Sequence, residues 1–104
     1  MKKVCVQGLG FVGAAMAIAV ANARDLNNKA IYYVTGVDQE TEIGKARINS
    51  INQGIFPFTT SDQKLISALG EAKQLGNLVA TTDESVYEDA EIVVVDVGLE
   101  IPYL

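Results

Sequence analysis

At 104 residues, 49% hydrophobic and 20% charged, the chain has the size and composition of one globular domain with a core to bury. A net charge of −5 argues against a nucleic-acid partner, because phosphate backbones require basic patches. No apolar run approaches the ~20 residues that span a bilayer, and the apolar stretch after the two N-terminal lysines is broken by Gln7 and glycines, unlike a signal peptide, so a cytoplasmic protein without a membrane partner is expected.

The first element is a short apolar strand, Lys3 to Gln7, that runs straight into Gly8-x-Gly10-x-x-Gly13. Cys5 sits in the middle of that strand and reads as a small buried hydrophobe rather than a nucleophile. As the only cysteine it rules out an intrachain disulfide and a cysteine-rich metal site, and the absence of histidine rules out histidine acid–base chemistry. A helix-period segment follows from Phe11 to Arg24. It is apolar nearly all round, so its outer face should need cover from a neighbouring domain or subunit. After the polar stretch Arg24 to Lys29, a second apolar strand, Ile31 to Val37, ends on Asp38.

Strand, glycine turn, helix, strand and acid, in that order, form the dinucleotide-binding fingerprint. Gly8 permits the tight turn, Gly10 lets a pyrophosphate approach the backbone, and Gly13 lets the helix pack closely. The free amides and positive dipole end of the first helical turn favour phosphate. Asp38 would accept hydrogen bonds from the adenosine ribose. It lies 30 positions after Gly8, where the fingerprint expects about 20. The Arg24 to Lys29 stretch accounts for the surplus, and a longer loop costs little entropy.

Beyond Asp38 the spacing predicts a helix over Glu40 to Gln53, with Ile43, Ala46, Ile48 and Ile51 on one face and Gly54 as its stop. Pro57 makes the link Ile55 to Phe58 irregular. Thr60-x-x-Gln63 fits a capping box that opens a helix with Leu65, Ile66, Leu69, Ala72 and Leu75 on one stripe, ended by Gly76. A third strand, Leu78 to Thr81, precedes a turn or two of helix capped by Asp83. Glu91 to Val97 is the fourth strand, and its β-branched run fits burial on both faces of a parallel sheet. The fold class is therefore α/β: a Rossmann-type parallel sheet of order 3-2-1-4, with helices on both faces, truncated after strand 4, in a single domain of residues 1–104. Ligand should bind beyond the carboxyl ends of strands 1 and 4, over Gly8 to Gly13 and near Val97. Asp96 is the nearest acid there and reads as a contact to backbone.

With these elements in place the chain resembles the N-terminal NAD-binding domain of the UDP-glucose/GDP-mannose dehydrogenase family. The matching pieces are Val6 to Gly13 (VQGLGFVG), Val34 to Asp38 (VTGVD), Asn52 to Pro57 (NQGIFP), Ala80 to Asp83 (ATTD) and Asp89 to Val97 (DAEIVVVDV). The resemblance implies NAD as cofactor, with Gly8, Gly10, Phe11, Val12 and Gly13 at the pyrophosphate and Asp38 at the ribose, in addition to Val97, which the strand order alone places near the ligand. It also implies a family reaction in which the C6 hydroxyl of a nucleotide sugar is oxidised to a carboxylate in two NAD-linked steps.

Three departures stand against the family pattern. Gly98-Leu99-Glu100 replaces the usual Thr-Pro pair after the fourth strand. The basic residue expected early in the helix after Asp38 is displaced: Lys45 and Arg47 are the candidates, but extra residues precede both, and neither is assigned the role, since such side chains are more often simply solvated. The family's sugar-binding part, with its catalytic cysteine and lysine, has no counterpart in the 104 residues. No catalytic residue and no metal site is therefore expected here. The expected role is an NAD-binding piece without catalysis of its own. A stand-alone nucleotide-sensing or interaction module, and a structural protein that has lost its ligand, are the alternatives. An open edge on strand 4 predicts a homodimer, or pairing with a C-terminal half supplied elsewhere.

Overall fold

The computed structural model describes residues 1–96, and the expectations that fall on Val97 and on residues 98–104 lie outside that range. Four strands, β1 (Lys2–Gln7), β2 (Tyr32–Val37), β3 (Leu78–Thr81) and β4 (Ile92–Val95), form one parallel sheet in the order β3-β2-β1-β4. Helices α1 (Phe11–Ala21), α2 (Glu42–Asn52) and α3 (Gln63–Leu75) connect them, with a short 3-10 helix over Glu84–Asp89. The register aligns the strands' carboxyl ends: Gln7 pairs with Val37 and with Val95, and Val37 pairs with Thr81. Backbone bonds carry that alignment one residue further. Gly8 N–H donates to Val37 O at 2.8 Å, Asp38 N–H to Thr81 O at 3.2 Å, and Asp96 N–H to Gln7 O at 3.0 Å. The glycine turn, Asp38 and Asp96 consequently leave the sheet side by side.

Strand alternation divides the core. Val4, Val6, Val34 and Ala80 point to the face that packs on Ala14, Ala17, Ile18 and Ala21 of α1, Ile48 and Ile51 of α2, and Leu69 and Ala72 of α3. The opposite face, with Cys5 and Thr35, meets the 3-10 helix, where the Cys5 thiol lies 3.6 Å from Val86 O. Right-handed crossovers stepping outward from β1 to β2 to β3 put their helices on one side, and the return from β3 to β4 crosses on the other. Helix thus covers both faces, unequally.

Several local expectations shift. In α2 the buried residues are Gly44, Ile48 and Ile51, capped by Thr41, whereas Ile43 is 66% exposed. At 100° per residue Ile43 and Ala46 fall well off the Ile48–Ile51 direction, so the expected stripe mixed two faces. Helix α3 is capped by Asp62, whose side chain accepts from Lys64 N–H and Leu65 N–H, and not by Thr60. Thr60 instead accepts from Asp62 N–H at 3.1 Å, a turn that presents the true cap. Gly76, with φ of 78°, ends α3 as expected. Helix α1 stops at Ala21, because the Asn22 side chain donates to both Ile18 O and Ala68 O. The loop that follows is ordered around Asp25, whose carboxylate accepts from Asn27 N–H and Lys29 N–H.

β4 does not have both faces buried: Ile92, Val93 and Val95 are exposed, because among the described residues it is an edge strand, and Val94 is the one of its residues that packs against the core cluster of α1 and α3. The outer face of α1 is also open at Phe11, Val12 and Met16. The cover expected for it is not supplied by the described residues.

Candidate functional site

Gly8 leaves β1 with φ of 93°, the left-handed region that favours glycine, and turns the chain into α1. Gly13 meets the same turn from above: a Cβ there would lie 1.9 Å from Gly8 O. Between them Leu9 drops into the core, fully buried against Ala14, Ile18 and Ile48, so the turn is anchored from below. Gly10 is the N-cap of α1 and offers no side-chain acceptor, and no acid lies in the first turn. The amides of Phe11 and Val12 make no hydrogen bond among the described residues. A concave set of backbone donors at a helix N-terminus suits an anionic ligand.

Asp38 closes the other side. Its Oδ2 accepts from Leu9 N–H at 3.1 Å and its Oδ1 from Gln39 N–H at 2.7 Å. The carboxylate is thereby fixed at the mouth of the glycine turn while remaining open to the cavity. Arg47 Nη1 lies 3.7 Å from Asp38 Oδ2, an ion pair too long for a direct hydrogen bond. The Arg47 guanidinium also sits 5.1 Å from the centre of the Phe58 ring. Phe58, Phe56 and Phe11 form an aromatic cluster with centroids 5.2 to 5.8 Å apart. That cluster ties the first residue of α1 to the irregular Ile55–Phe58 link and gives the link its role.

A cavity of about 220 Å³ opens here, lined by Gln7, Gly8, Val37, Asp38, Gln39, Glu84, Tyr87 and Asp96. Asp96 reaches across it, accepting from Gly13 N–H through Oδ2 at 3.0 Å. Burial pushes the Tyr87 hydroxyl above its ordinary range, and the charges of Cys5, Glu84 and Asp38 raise it further. A larger cavity, lined by Arg24, Lys29, Glu71 and Leu75 among others, lies away from the strands' carboxyl ends and holds none of these groups.

The structure places Gly8, Gly10, Phe11, Val12 and Gly13 on the turn into α1 and ties Asp38 to that turn through Leu9 N–H; of these, Gly8 and Asp38 line the cavity. Val97 lies outside the described residues. Of the two basic candidates, Arg47 stands beside Asp38. The signal that separates it from Lys45 is its position one turn before Ile51, on the side of α2 that faces β2's carboxyl end. The role of Leu9 as an anchor was hidden inside the motif, because a variable position between two glycines carries no periodicity.

A parallel 3-2-1-4 sheet with a glycine turn at the switch point and an acid ending β2 defines a dinucleotide-binding domain of the Rossmann type. Residues 2–100 match the model of the UDP-glucose/GDP-mannose dehydrogenase family, NAD binding domain. The chain belongs to that family, as its NAD-binding domain.

Similar folds occur in several solved structures. NDP-N-acetyl-D-galactosaminuronic acid dehydrogenase from Methanosarcina mazei Go1 has a TM-score of 0.80 at 24% identity, over 91% of this chain and 19% of that one. GDP-mannose dehydrogenase from Pseudomonas aeruginosa, in a ternary complex, has a TM-score of 0.71 at 29% identity, over 91% and 19%. A UDP-glucose dehydrogenase from Pyrobaculum islandicum has a TM-score of 0.69 at 23% identity, over 93% and 20%. The chain thus spans about a fifth of the length of these relatives. No curated protein matches it. Among the described residues no helix is long and apolar enough to cross a membrane.

Proposed function

We propose that the chain binds NAD over the glycine turn, with Gly8, Gly10, Phe11, Val12 and Gly13 around the pyrophosphate and Asp38 on the adenosine ribose, as the cofactor-binding part of a nucleotide-sugar dehydrogenase. The observation that carries this reading is the Asp38 carboxylate, held by Leu9 N–H at 3.1 Å beside the glycine turn that leads into the uncapped first turn of α1. Those residues fit the group. The glycines of the turn add no side chain of their own, the amides of Phe11 and Val12 supply donors that are free among the described residues, and the Asp38 carboxylate supplies acceptors for ribose hydroxyls. Bound NAD supplies hydride-accepting chemistry. The chain's own residues bind and orient it.

In the whole protein the reaction this implies is oxidation of a nucleotide-sugar C6 hydroxyl to a carboxylate. The groups for that step come from outside the described residues. Cys5, the only thiol, is buried on the sheet at 3% exposure, and no histidine is present to serve as base. These 104 residues alone are expected to bind cofactor without forming NADH from UDP-glucose or GDP-mannose.

Calorimetry with NAD and NADP tests the site. A charge-assisted hydrogen bond contributes about 1.5–3 kcal/mol, so Asp38→Ala should weaken NAD binding roughly 10- to 100-fold. The wild-type chain should prefer NAD, because the 2′-phosphate of NADP meets Asp38 as a like charge. Equal NAD affinity in wild type and Asp38→Ala removes the assigned role.

A further inference from the structure

Asp96 places a negative charge in the concavity where an anionic ligand is expected. Its backbone is fixed by the bond from Asp96 N–H to Gln7 O at 3.0 Å, so the side chain leaves the end of β4 directly opposite the glycine turn. Its Oδ2 accepts from Gly13 N–H at 3.0 Å. The same oxygen lies 3.7 Å from where a Cβ on Gly10 would stand and 3.1 Å from one on Gly13. The carboxylate is therefore seated against the small residues that keep the turn open, at the positive end of the α1 dipole. Asp38 and Glu84 line the same cavity, and Arg47 is the only basic side chain within salt-bridge distance of an acid among the described residues. Local charge at this site is acidic.

We infer that Asp96 is a specificity-determining residue: its carboxylate competes with a ligand's phosphates for the first-turn amides of α1, lowering affinity for phosphorylated adenosines relative to adenosine itself. The inference rests on the reading that nucleotide binds over the glycine turn. Two effects act in the same direction. The carboxylate occupies one of the helix's N-terminal donors, and its charge repels a phosphate brought within a few ångströms in a partly water-excluded cavity. Adenosine, which carries no phosphate and is held on the Asp38 side, meets neither effect. The isosteric amide of Asp96→Asn keeps an acceptor for Gly13 N–H while removing the charge. Asp96→Ala removes both.

The test compares adenosine, ADP and NAD on wild type, Asp96→Asn, Asp96→Ala and Asp38→Ala, by calorimetry and by ¹⁵N amide shifts of Leu9 and Gly13, with a thermal melt of each variant confirming the fold. Affinity for ADP and NAD should rise at least tenfold in Asp96→Ala and by a smaller step in Asp96→Asn. Adenosine affinity should stay within twofold in both. Unchanged or weaker ADP and NAD binding in both variants overturns the inference, as does an equal gain for adenosine. If adenosine binds the wild type and is lost in Asp38→Ala while ADP and NAD ignore Asp96, this inference alone falls. If none of the three ligands binds any of the proteins, the nucleotide site falls with it.

Discussion

Replacing Gly13 by alanine sets two effects of opposite sign against each other. Glycine inside a helix costs roughly 1 kcal/mol relative to alanine, so propensity alone predicts that Gly13→Ala stabilises α1. The structure predicts the reverse. The added Cβ would stand 1.9 Å from Gly8 O and 2.9 Å from Gly8 C, far inside van der Waals contact, and both are backbone atoms. Gly8 cannot rotate aside, because its N–H is bonded to Val37 O at 2.8 Å and its φ of 93° is set by the turn. Relief requires α1 to lift by more than an ångström, which loosens Ala14, Ala17, Ile18 and Ala21 from the sheet.

Overpacking of this kind costs about 3 kcal/mol, leaving a net loss of about 2 kcal/mol after the propensity gain. For a domain near this size each kcal/mol moves the melting point by about 4–8 °C, so Gly13→Ala should melt about 8–16 °C below wild type. Gly70→Ala is the control. Gly70 lies in α3 with nothing within 4 Å of its added Cβ, and the same substitution there should raise the melting point by a few degrees. Far-UV circular dichroism melts without ligand read both. A Gly13→Ala protein that melts at or above wild type would refute the reasoning.

Burial raises the Cys5 thiol above its ordinary range, so the folded chain keeps a proton that the unfolded chain loses. That contribution is complete below the unfolded thiol's range and disappears as pH rises through the raised value, and Cys5→Ala should therefore flatten the alkaline fall in stability; urea midpoints that differ by a pH-independent amount would contradict this. The edge of β4, open among the described residues with Ile92, Val93 and Val95 exposed, together with Phe11, Val12 and Met16 of α1, which those residues leave exposed, should bring two copies together. Light scattering after size exclusion should then give about twice the chain's 11.1 kDa, whereas a mass that stays at 11.1 kDa across micromolar concentrations would show that these surfaces remain unpaired.

The parts of the fold legible in the sequence are those fixed by local chemistry. The glycine turn, the acid at the end of β2, the αL stop at Gly76 and the strand order all follow from residue types at fixed spacing. What escaped depends on how elements approach one another. Ile43 shares its spacing with Ile48 and Ile51 only loosely; periodicity separates the two directions, and the docking of α2 beside β3 decides which of them is buried. Arg47 becomes part of the site because α2 brings it back to Asp38. The Phe11–Phe56–Phe58 cluster joins segments some 45 positions apart that no periodicity connects. Asp96 was visible as an acid at the end of an apolar strand, but its hold on Gly13 N–H needed the register of β4 against β1.

The two borders of the sheet are finished differently. At Ala80, on the outer side of β3, the Asn52 side chain both donates to Ala80 O at 3.0 Å and accepts from Ala80 N–H at 2.8 Å. One primary amide thus reproduces the paired donor and acceptor that another strand would present, and it does so from the last residue of α2. β3 is sealed at that point by a side chain. β4 has no such plug among the described residues. Among the described residues the two borders therefore differ: a further strand would meet a closed position at Ala80 on β3 and no such side chain on β4. Replacing Asn52 would erase that difference before it changed anything at the glycine turn.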